Sequence, residues 1–101
     1  MSSDVEIKRV ETTNGGEYTI MVEGSARPAV LTWQRREKDG TPVRLVDHTF
    51  TPPEARGQGL AGKLVEAIVA DAREHGFRIA PQCPYVVSAF ARHPEWVDVK
   101  A

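Results

Sequence analysis

The spacing of apolar residues changes at Pro52-Pro53, and this change limits the folds that the chain can adopt. Ahead of the two prolines, apolar and polar residues alternate in short runs, which is the pattern of strands with one buried face. Beyond them, apolar residues recur every three or four positions, as on one face of an α-helix. These residues are Ala61, Leu64, Val65, Ile68 and Ala72. The sequence therefore predicts strands in the first half and helix in the second.

The first half predicts four strands that follow one another through tight turns. The predicted strands are Val5–Val10, Tyr18–Val22, Ala29–Arg36 and Val43–Phe50. Asn14-Gly15-Gly16 is expected to supply left-handed backbone positions for the first turn, and Asp39-Gly40 is expected to close the last hairpin. Strands connected in this order form an antiparallel meander.

The second half predicts a long helix that leads into a fifth strand. Leu60–His75 carries the helical pattern, and Gly76 suits the exit from it. Phe77–Ala80 is expected to pair in parallel with Val43–Phe50, because a helical crossover joins the two strands. The polar residues expected on the solvent side of the helix are Lys63, Glu66, Asp71, Arg73 and Glu74.

A second helix is predicted to begin at Pro84, which suits a first helical turn, and to run to about His93. The tail over 94–101 is too short to assign. The predicted fold class is α+β: a mixed, mostly antiparallel sheet made of a four-strand meander, then a β-α-β unit and a terminal helix.

Composition and charge exclude several classes of protein. The 101 residues fit one domain, and the formal net charge of -1 does not indicate nucleic acid or an anionic membrane as the partner. The single cysteine, Cys83, cannot form an internal disulfide, which predicts an intracellular, cytoplasmic protein. We expect no signal peptide, no membrane-spanning segment and no metal site, because the chain lacks the patterns that each requires.

A glycine-rich turn, Pro53–Lys63, lies between the fourth strand and the long helix. Glycines let a ligand approach the backbone closely, and the first amides of a helix attract negative charge. The turn is therefore a candidate pyrophosphate site. Gly57–Gly62 also fits the dinucleotide pattern G-x-G-x-x-G, but it follows an antiparallel meander and no acidic residue stands after a second strand. A tight turn without a ligand is the remaining alternative.

The segment Arg56–Ala61 resembles the acetyl-CoA motif of the GNAT acetyltransferases, in which Gln or Arg is followed by two residues, Gly, one residue, and Gly or Ala. Arg56, Gly59 and Ala61 stand at the defining positions. Three further segments are similar to a group of very short, stand-alone GNAT-like proteins. They are His48-Thr49, Pro81-Gln82-Cys83-Pro84 and Arg92-His93-Pro94-Glu95-Trp96. The resemblance covers residues 5–97 and implies a single minimal GNAT-like domain.

The resemblance implies acetyl-CoA as the ligand. Backbone amides within the turn would hold the pyrophosphate, and the end of the fourth strand would leave its parallel neighbour and pair with the pantetheine arm. The strand residues are Thr49, Phe50 and Thr51, and the expected amide donors are Gln58, Gly59, Ala61, Gly62 and Lys63, with Gly57 and Leu60 in the same turn. Arg56 would contact the phosphates or brace the turn.

The family's catalytic scheme leaves open which residues act here. Its usual helical tyrosine would fall within Ala89–Arg92, which contains none, and Tyr85 would serve as the acid or only line the pocket. Cys83 would accept the acetyl group as an activated thiolate, or be a small core residue. His48 would act as base or orient Cys83, or be a structural histidine.

Two functions follow from the resemblance, and a third from the cysteine. The chain would transfer acetyl from acetyl-CoA to an amine acceptor that the sequence does not identify, as a monomer or a weak homodimer. Alternatively, it would bind acetyl-CoA or CoA without catalysis, since the acceptor half of the family fold is reduced. A thiol-based redox sensor would leave the glycine turn without a purpose.

Overall fold

The computed structural model describes residues 6–101, which form a five-stranded sheet in the order β1-β2-β3-β4-β5. The strands are β1 (Lys8–Glu11), β2 (Gly15–Ile20), β3 (Ala29–Lys38), β4 (Thr41–Phe50) and β5 (Arg78–Pro81). Neighbours from β1 to β4 pair antiparallel, and β4 pairs with β5 in parallel. The predicted α+β class and its mostly antiparallel sheet are confirmed.

The first turn differs from the prediction. Gly15 and Gly16 belong to β2, and neither has a positive φ. They are needed for close packing instead, because a Cβ on Gly15 would lie 2.2 Å from the Trp33 carbonyl oxygen and one on Gly16 would lie 2.8 Å from the Trp33 ring. The first strand is also shorter than predicted: it begins at Lys8, and Val5 lies outside the described residues.

The hairpin between β3 and β4 follows the prediction. Asp39 and Gly40 have φ of 52° and 82°, as a two-residue hairpin turn with left-handed positions requires. Further along the hairpin, the register slips between Thr32 and Trp33, whose partners are His48 and Val46. Asp47 is therefore the extra residue of a β-bulge.

The long helix α1 spans Leu60–His75, as predicted, and ends at Gly76 with φ of 82°. Its apolar face packs on β2 and β3 and buries Leu64, Val65 and Ile68 completely. The prediction is wrong for one residue of its polar face: Asp71 is 9% exposed and faces β2 rather than solvent. The reason is a hydrogen bond from Tyr18, which no local pattern reveals.

The second helix, α2, spans Pro84–Arg92 and packs beside α1 and β5. A 3₁₀ segment, Pro94–Val99, follows it and covers the core with Trp96 and Val99. Lys100 then forms an isolated parallel bridge with Ile79. No helix in the described residues is long and apolar enough to cross a membrane.

Candidate functional site

The glycine-rich turn holds two glycines in conformations that other residues rarely adopt. Gly57 has φ of 89°, and Gly59, the N-cap of α1, has φ of 73°. A Cβ at either position would meet no protein atom within 4 Å. These glycines are therefore required by the backbone path, and the space in front of them is open to a ligand.

Two of the backbone amides near the start of α1 already donate hydrogen bonds within the protein. The N–H of Lys63 donates to the carbonyl of Gly59 at 3.1 Å, and that of Gln58 donates to the carbonyl of Ala55 at 3.3 Å. These two amides already have acceptors within the protein, and their expected role in binding phosphate stays a prediction. Within the described chain, four amides at this helix end have no backbone acceptor, since the first turn of a helix leaves its donors unpaired. They belong to Gly59, Leu60, Ala61 and Gly62.

An open groove of about 320 Å³ lies against this turn. It extends from the helix start to Thr51, just beyond β4, and to Tyr85, in the first turn of α2. A Cβ on Gly62 would lie 3.6 Å from the Tyr85 hydroxyl, which shows how closely α2 approaches the turn. The lining residues are Thr51, Ala55, Arg56, Gly57, Gly59, Leu60, Ala61 and Tyr85.

The parallel strands part beside this groove. Pairing of β4 with β5 ends at Val46 and Pro81, and the N–H groups of Gln82 and Cys83 both donate to the Val46 carbonyl, at 2.9 and 3.0 Å. Beyond this point β4 continues to Phe50 with pairing to β3. An opening between the strands therefore lies where the predicted pantetheine segment, 49–51, runs.

Cys83 occupies the far side of that opening. It is 8% exposed, it is the N-cap of α2, and its Sγ lies 3.4 Å from the Thr49 hydroxyl. Burial raises the pKa of the Cys83 thiol, but hydrogen bonds from the Thr49 hydroxyl and from the backbone N–H groups of Val86, Tyr85 and Thr49 hold it below its ordinary value. The site thus stabilises a thiolate, the nucleophilic form of cysteine.

His48 does not join Cys83. Arg44 and Val46 face α1, and strict alternation would place His48 on that side as well. The bulge at Asp47 shifts the alternation by one, so that Thr49 faces Cys83 and His48 lies exposed on the opposite face. No hydrogen bond joins His48 to Cys83, and the expected base or orienting role is not supported by this geometry.

The other predicted residues are placed as follows. Arg56 is exposed at the groove, and Tyr85 is 37% exposed at the same groove. Phe50 lies on the face that carries His48, with the Arg27 guanidinium 4.3 Å from its ring centre. Phe90, within the segment where the family tyrosine is missing, is buried and packs edge-on against Trp96 at 5.2 Å.

A second polar cluster lies toward the other end of α1, and the sequence does not predict it. Asp71 accepts two hydrogen bonds from Arg9, at 2.8 and 3.2 Å, and one from the Tyr18 hydroxyl at 2.7 Å. Tyr18 in turn accepts one from Arg44 at 2.8 Å. The sequence carries no signal for this cluster, because its members come from four elements that are distant in the chain.

A metal ion is not indicated by the carboxylates of this region. Asp71, Glu74 and His75 each place one potential ligand atom within 4.8 Å of the others. However, both Asp71 oxygens already accept hydrogen bonds from Arg9 or Tyr18. The three residues therefore carry no metal assignment.

Comparisons with known proteins agree on one family. The sequence model described as GCN5-related N-acetyl-transferase matches residues 17–99. A GCN5-like candidate N-acetyltransferase from Staphylococcus aureus, solved by NMR, has 28% sequence identity and a TM-score of 0.70, with 99% of this chain and 91% of that chain covered.

A second solved structure shares the fold at lower identity. It is the ribosomal-protein-alanine N-acetyltransferase from Brucella melitensis biovar Abortus 2308, with 16% identity and a TM-score of 0.68. The match covers 81% of this chain and 62% of that chain. With most of its length matched by the family model, the chain belongs to the GCN5-related N-acetyltransferase (GNAT) family.

Proposed function

We propose that the chain binds acetyl-CoA in the groove beside the glycine-rich turn and transfers its acetyl group to an amine. The observation that carries this proposal is the strand opening after Val46, which has free helix amides on one side and a stabilised thiol on the other. Thr51 and Tyr85 line the groove. Along the chain, Thr51 is two residues from Thr49 and Tyr85 is two residues from Cys83, the two partners of the side-chain contact.

The open turn fits a diphosphate. Four backbone N–H groups without an internal acceptor converge at the positive end of the α1 dipole, and the positive-φ glycines leave the approach clear. Arg56, exposed on the same groove, adds a positive charge. The backbone of Thr49–Thr51, at the strand opening, is the segment that would pair with the pantetheine arm.

The thiol can act as the first acceptor of the acetyl group, which acetyl-CoA supplies as a thioester. The Cys83 thiolate forms a bond to the acetyl carbon while the bond from that carbon to the CoA sulfur breaks, and the departing thiolate takes a proton from solvent, directly or through Tyr85, which solvent then reprotonates. The Thr49 N–H, which faces the sulfur, is placed to donate to the developing oxyanion. An acceptor amine then attacks the Cys83 thioester, loses its proton to solvent and restores the Cys83 thiolate.

A non-catalytic acyl-CoA-binding module is the second candidate. Within residues 6–101, no histidine or carboxylate is hydrogen-bonded to Cys83, and the helix segment without the family tyrosine is filled by a buried Phe90. In that case the groove would bind acetyl-CoA, and no acetyl group would leave it.

Titration calorimetry and intact-mass spectrometry separate these functions. Acetyl-CoA should bind and NAD should not. After incubation with acetyl-CoA, the protein should gain one acetyl group that hydroxylamine removes, and the Cys83→Ala variant should gain none. Addition of spermidine or a lysine-containing peptide should then discharge the wild-type adduct.

Each failure has a distinct meaning. Binding of acetyl-CoA without protein or amine acetylation would favour the binding module. Amine acetylation that persists in Cys83→Ala would show direct transfer and remove the covalent role of the thiol. Absence of acetyl-CoA binding would overturn the groove assignment itself.

A further inference from the structure

A second cavity, of about 380 Å³, lies at the end of α1 away from the glycine-rich turn. Trp33, Arg44 and Asp71 are among its lining residues. An α-helix rises about 1.5 Å per residue, so Asp71 lies roughly 16 Å along the axis from Leu60 at the groove. This cavity and the groove share no lining residue, so the cavity is a separate site.

Arg44 carries unused hydrogen-bond donors in this cavity. Its guanidinium lies between two aromatic rings, 3.9 Å from the centre of Trp33 and 4.0 Å from that of Phe77, and its side chain is 17% exposed. The Nη1 atom donates to the neutral Tyr18 hydroxyl at 2.8 Å, and this is the one hydrogen bond that the guanidinium makes within residues 6–101. A guanidinium has five N–H donors, and a largely buried cation requires acceptors for them.

Trp33 lines the same cavity, and its indole N–H is a second donor without a partner, with the nitrogen itself enclosed by protein atoms. Trp33 is 3% exposed, and its Nε1 is the one buried side-chain nitrogen or oxygen without a partner in the part of the chain that the structure describes. An indole N–H can only donate, and a buried donor without an acceptor is costly. Two residues that line one cavity therefore carry hydrogen-bond donors without acceptors.

Two carboxylates that line the cavity, those of Asp71 and Glu11, do not satisfy these donors. Asp71 accepts hydrogen bonds from Arg9 and Tyr18, and the Oε2 atom of Glu11 accepts one from Arg35 at 2.7 Å. The other oxygen of Glu11, Oε1, is 3.8 Å from Arg44 Nη2, beyond hydrogen-bond distance. Its position shows that a carboxylate can approach the guanidinium from the cavity side.

We propose that this cavity binds a small carboxylate on the Arg44 guanidinium, beside the Trp33 ring. The planar, bidentate shape of a carboxylate matches the guanidinium fork, and its single negative charge balances that of Arg44. Stacking on Trp33 and Phe77 fixes the fork in advance, so little side-chain entropy is lost on binding. Glu11 is the internal competitor for the same donors.

The indole N–H of Trp33, whose ring stacks on Arg44, reports on this site as a near neighbour. In a ¹H–¹⁵N spectrum the chain gives two indole signals, from Trp33 and Trp96, which the Trp96→Phe variant assigns. Titration with sodium acetate at constant ionic strength, against sodium chloride, should shift the Trp33 signal along a saturable curve and leave Trp96 in place. Inorganic phosphate tests whether a tetrahedral anion is accepted instead.

Four variants sharpen the test. Glu11→Gln should lower the Kd for acetate several-fold, because the internal competitor is lost. Arg44→Gln should abolish the saturable shift, and Arg44→Lys, which keeps the charge and the fold more closely, should weaken binding at least about tenfold because the fork is lost. Arg36→Gln, on the same hairpin but outside the cavity lining, should change nothing.

The proposal fails if acetate gives no saturable Trp33 shift in the folded Glu11→Gln variant. It also fails if phosphate binds and acetate does not, or if Arg44→Lys binds acetate as wild type does. None of these outcomes depends on acetyl-CoA, so they leave the proposed transferase function untouched.

Discussion

Replacing Gly59 by alanine separates the backbone requirement of the glycine-rich turn from its proposed role as a diphosphate cradle. Gly59 has φ of 73°, and a Cβ there would meet no protein atom within 4 Å. The substitution therefore strains the backbone without causing a clash inside the protein. The added methyl group projects into the open space where the ligand is proposed to lie.

The expected loss of stability can be worked from this geometry. An L-residue in the left-handed conformation costs about 1–2 kcal/mol. The smaller conformational freedom of alanine in the unfolded chain offsets about 0.5 kcal/mol of this. The net loss is about 1 kcal/mol in the free energy of unfolding, which lowers Tm by about 4–8 °C in a domain of this size.

Gly76→Ala is the matched control. Gly76 caps the other end of the same helix, has φ of 82° and also has nothing within 4 Å of its Cβ position. Both variants should lose the same stability in thermal unfolding followed by circular dichroism. In calorimetric titration with acetyl-CoA, Gly59→Ala should bind at least about tenfold more weakly, a change of about 1.4 kcal/mol, and Gly76→Ala should bind as wild type does.

Two results would refute this reasoning. Equal acetyl-CoA affinity for the two variants would show that the diphosphate does not lie against Gly59. An unchanged Tm in Gly59→Ala would show that this residue does not need the left-handed conformation.

Three further predictions concern the thiol, the packed glycine and the buried carboxylate. Because the pKa of Cys83 is lowered, alkylation of Cys83 by iodoacetamide should reach half its plateau rate at a lower pH than alkylation of free glutathione does. The Thr49→Val substitution removes a hydrogen bond to the thiolate and should move this midpoint to a higher pH. Gly16→Ala should lower the free energy of unfolding by about 2 kcal/mol, since the new Cβ would lie 2.8 Å from the Trp33 ring; denaturant unfolding that matches wild type would contradict the packing. Burial opposes ionisation of Asp71, but the hydrogen bonds that it accepts hold its pKa below the ordinary value. The ionised carboxylate therefore stabilises the fold above about pH 4, and this stabilisation is lost as the pH falls through the folded-state pKa. Asp71→Asn should therefore cost about 2 kcal/mol at pH 7, and the difference from wild type should shrink below pH 4 in urea unfolding; a constant difference would argue against an ionised Asp71.

Local signals in the sequence account for much of the fold. The bounds of α1 follow from its apolar period and from the glycines at both ends, and the hairpin at Asp39-Gly40 follows from turn chemistry. The place of the groove also follows, because a glycine-rich turn between a strand and a helix leaves helix amides open. These features depend on residues that are close in the chain.

The composition of the site depends on contacts that no local pattern contains. One extra residue at Asp47 reverses the alternation of β4, so Thr49 and not His48 meets Cys83, 34 residues away. The bulge is stabilised across strands, where Asp47 accepts hydrogen bonds from Thr32 and Gln34 at 2.7 and 2.8 Å. Period-2 reasoning cannot detect such an insertion, because it assumes an unbroken register.

The sequence by itself thus determined the order of strands and helices, the turn with open amides and the family to which the chain belongs. Only the tertiary structure decided which side chains meet, as in the cluster that joins Asp71 to Tyr18 and Arg9, 53 and 62 residues away. Periodicity and turn chemistry act over a few residues, and they are written into the sequence. Pairing across the sheet depends on register and on packing between elements, which are settled when the whole chain folds.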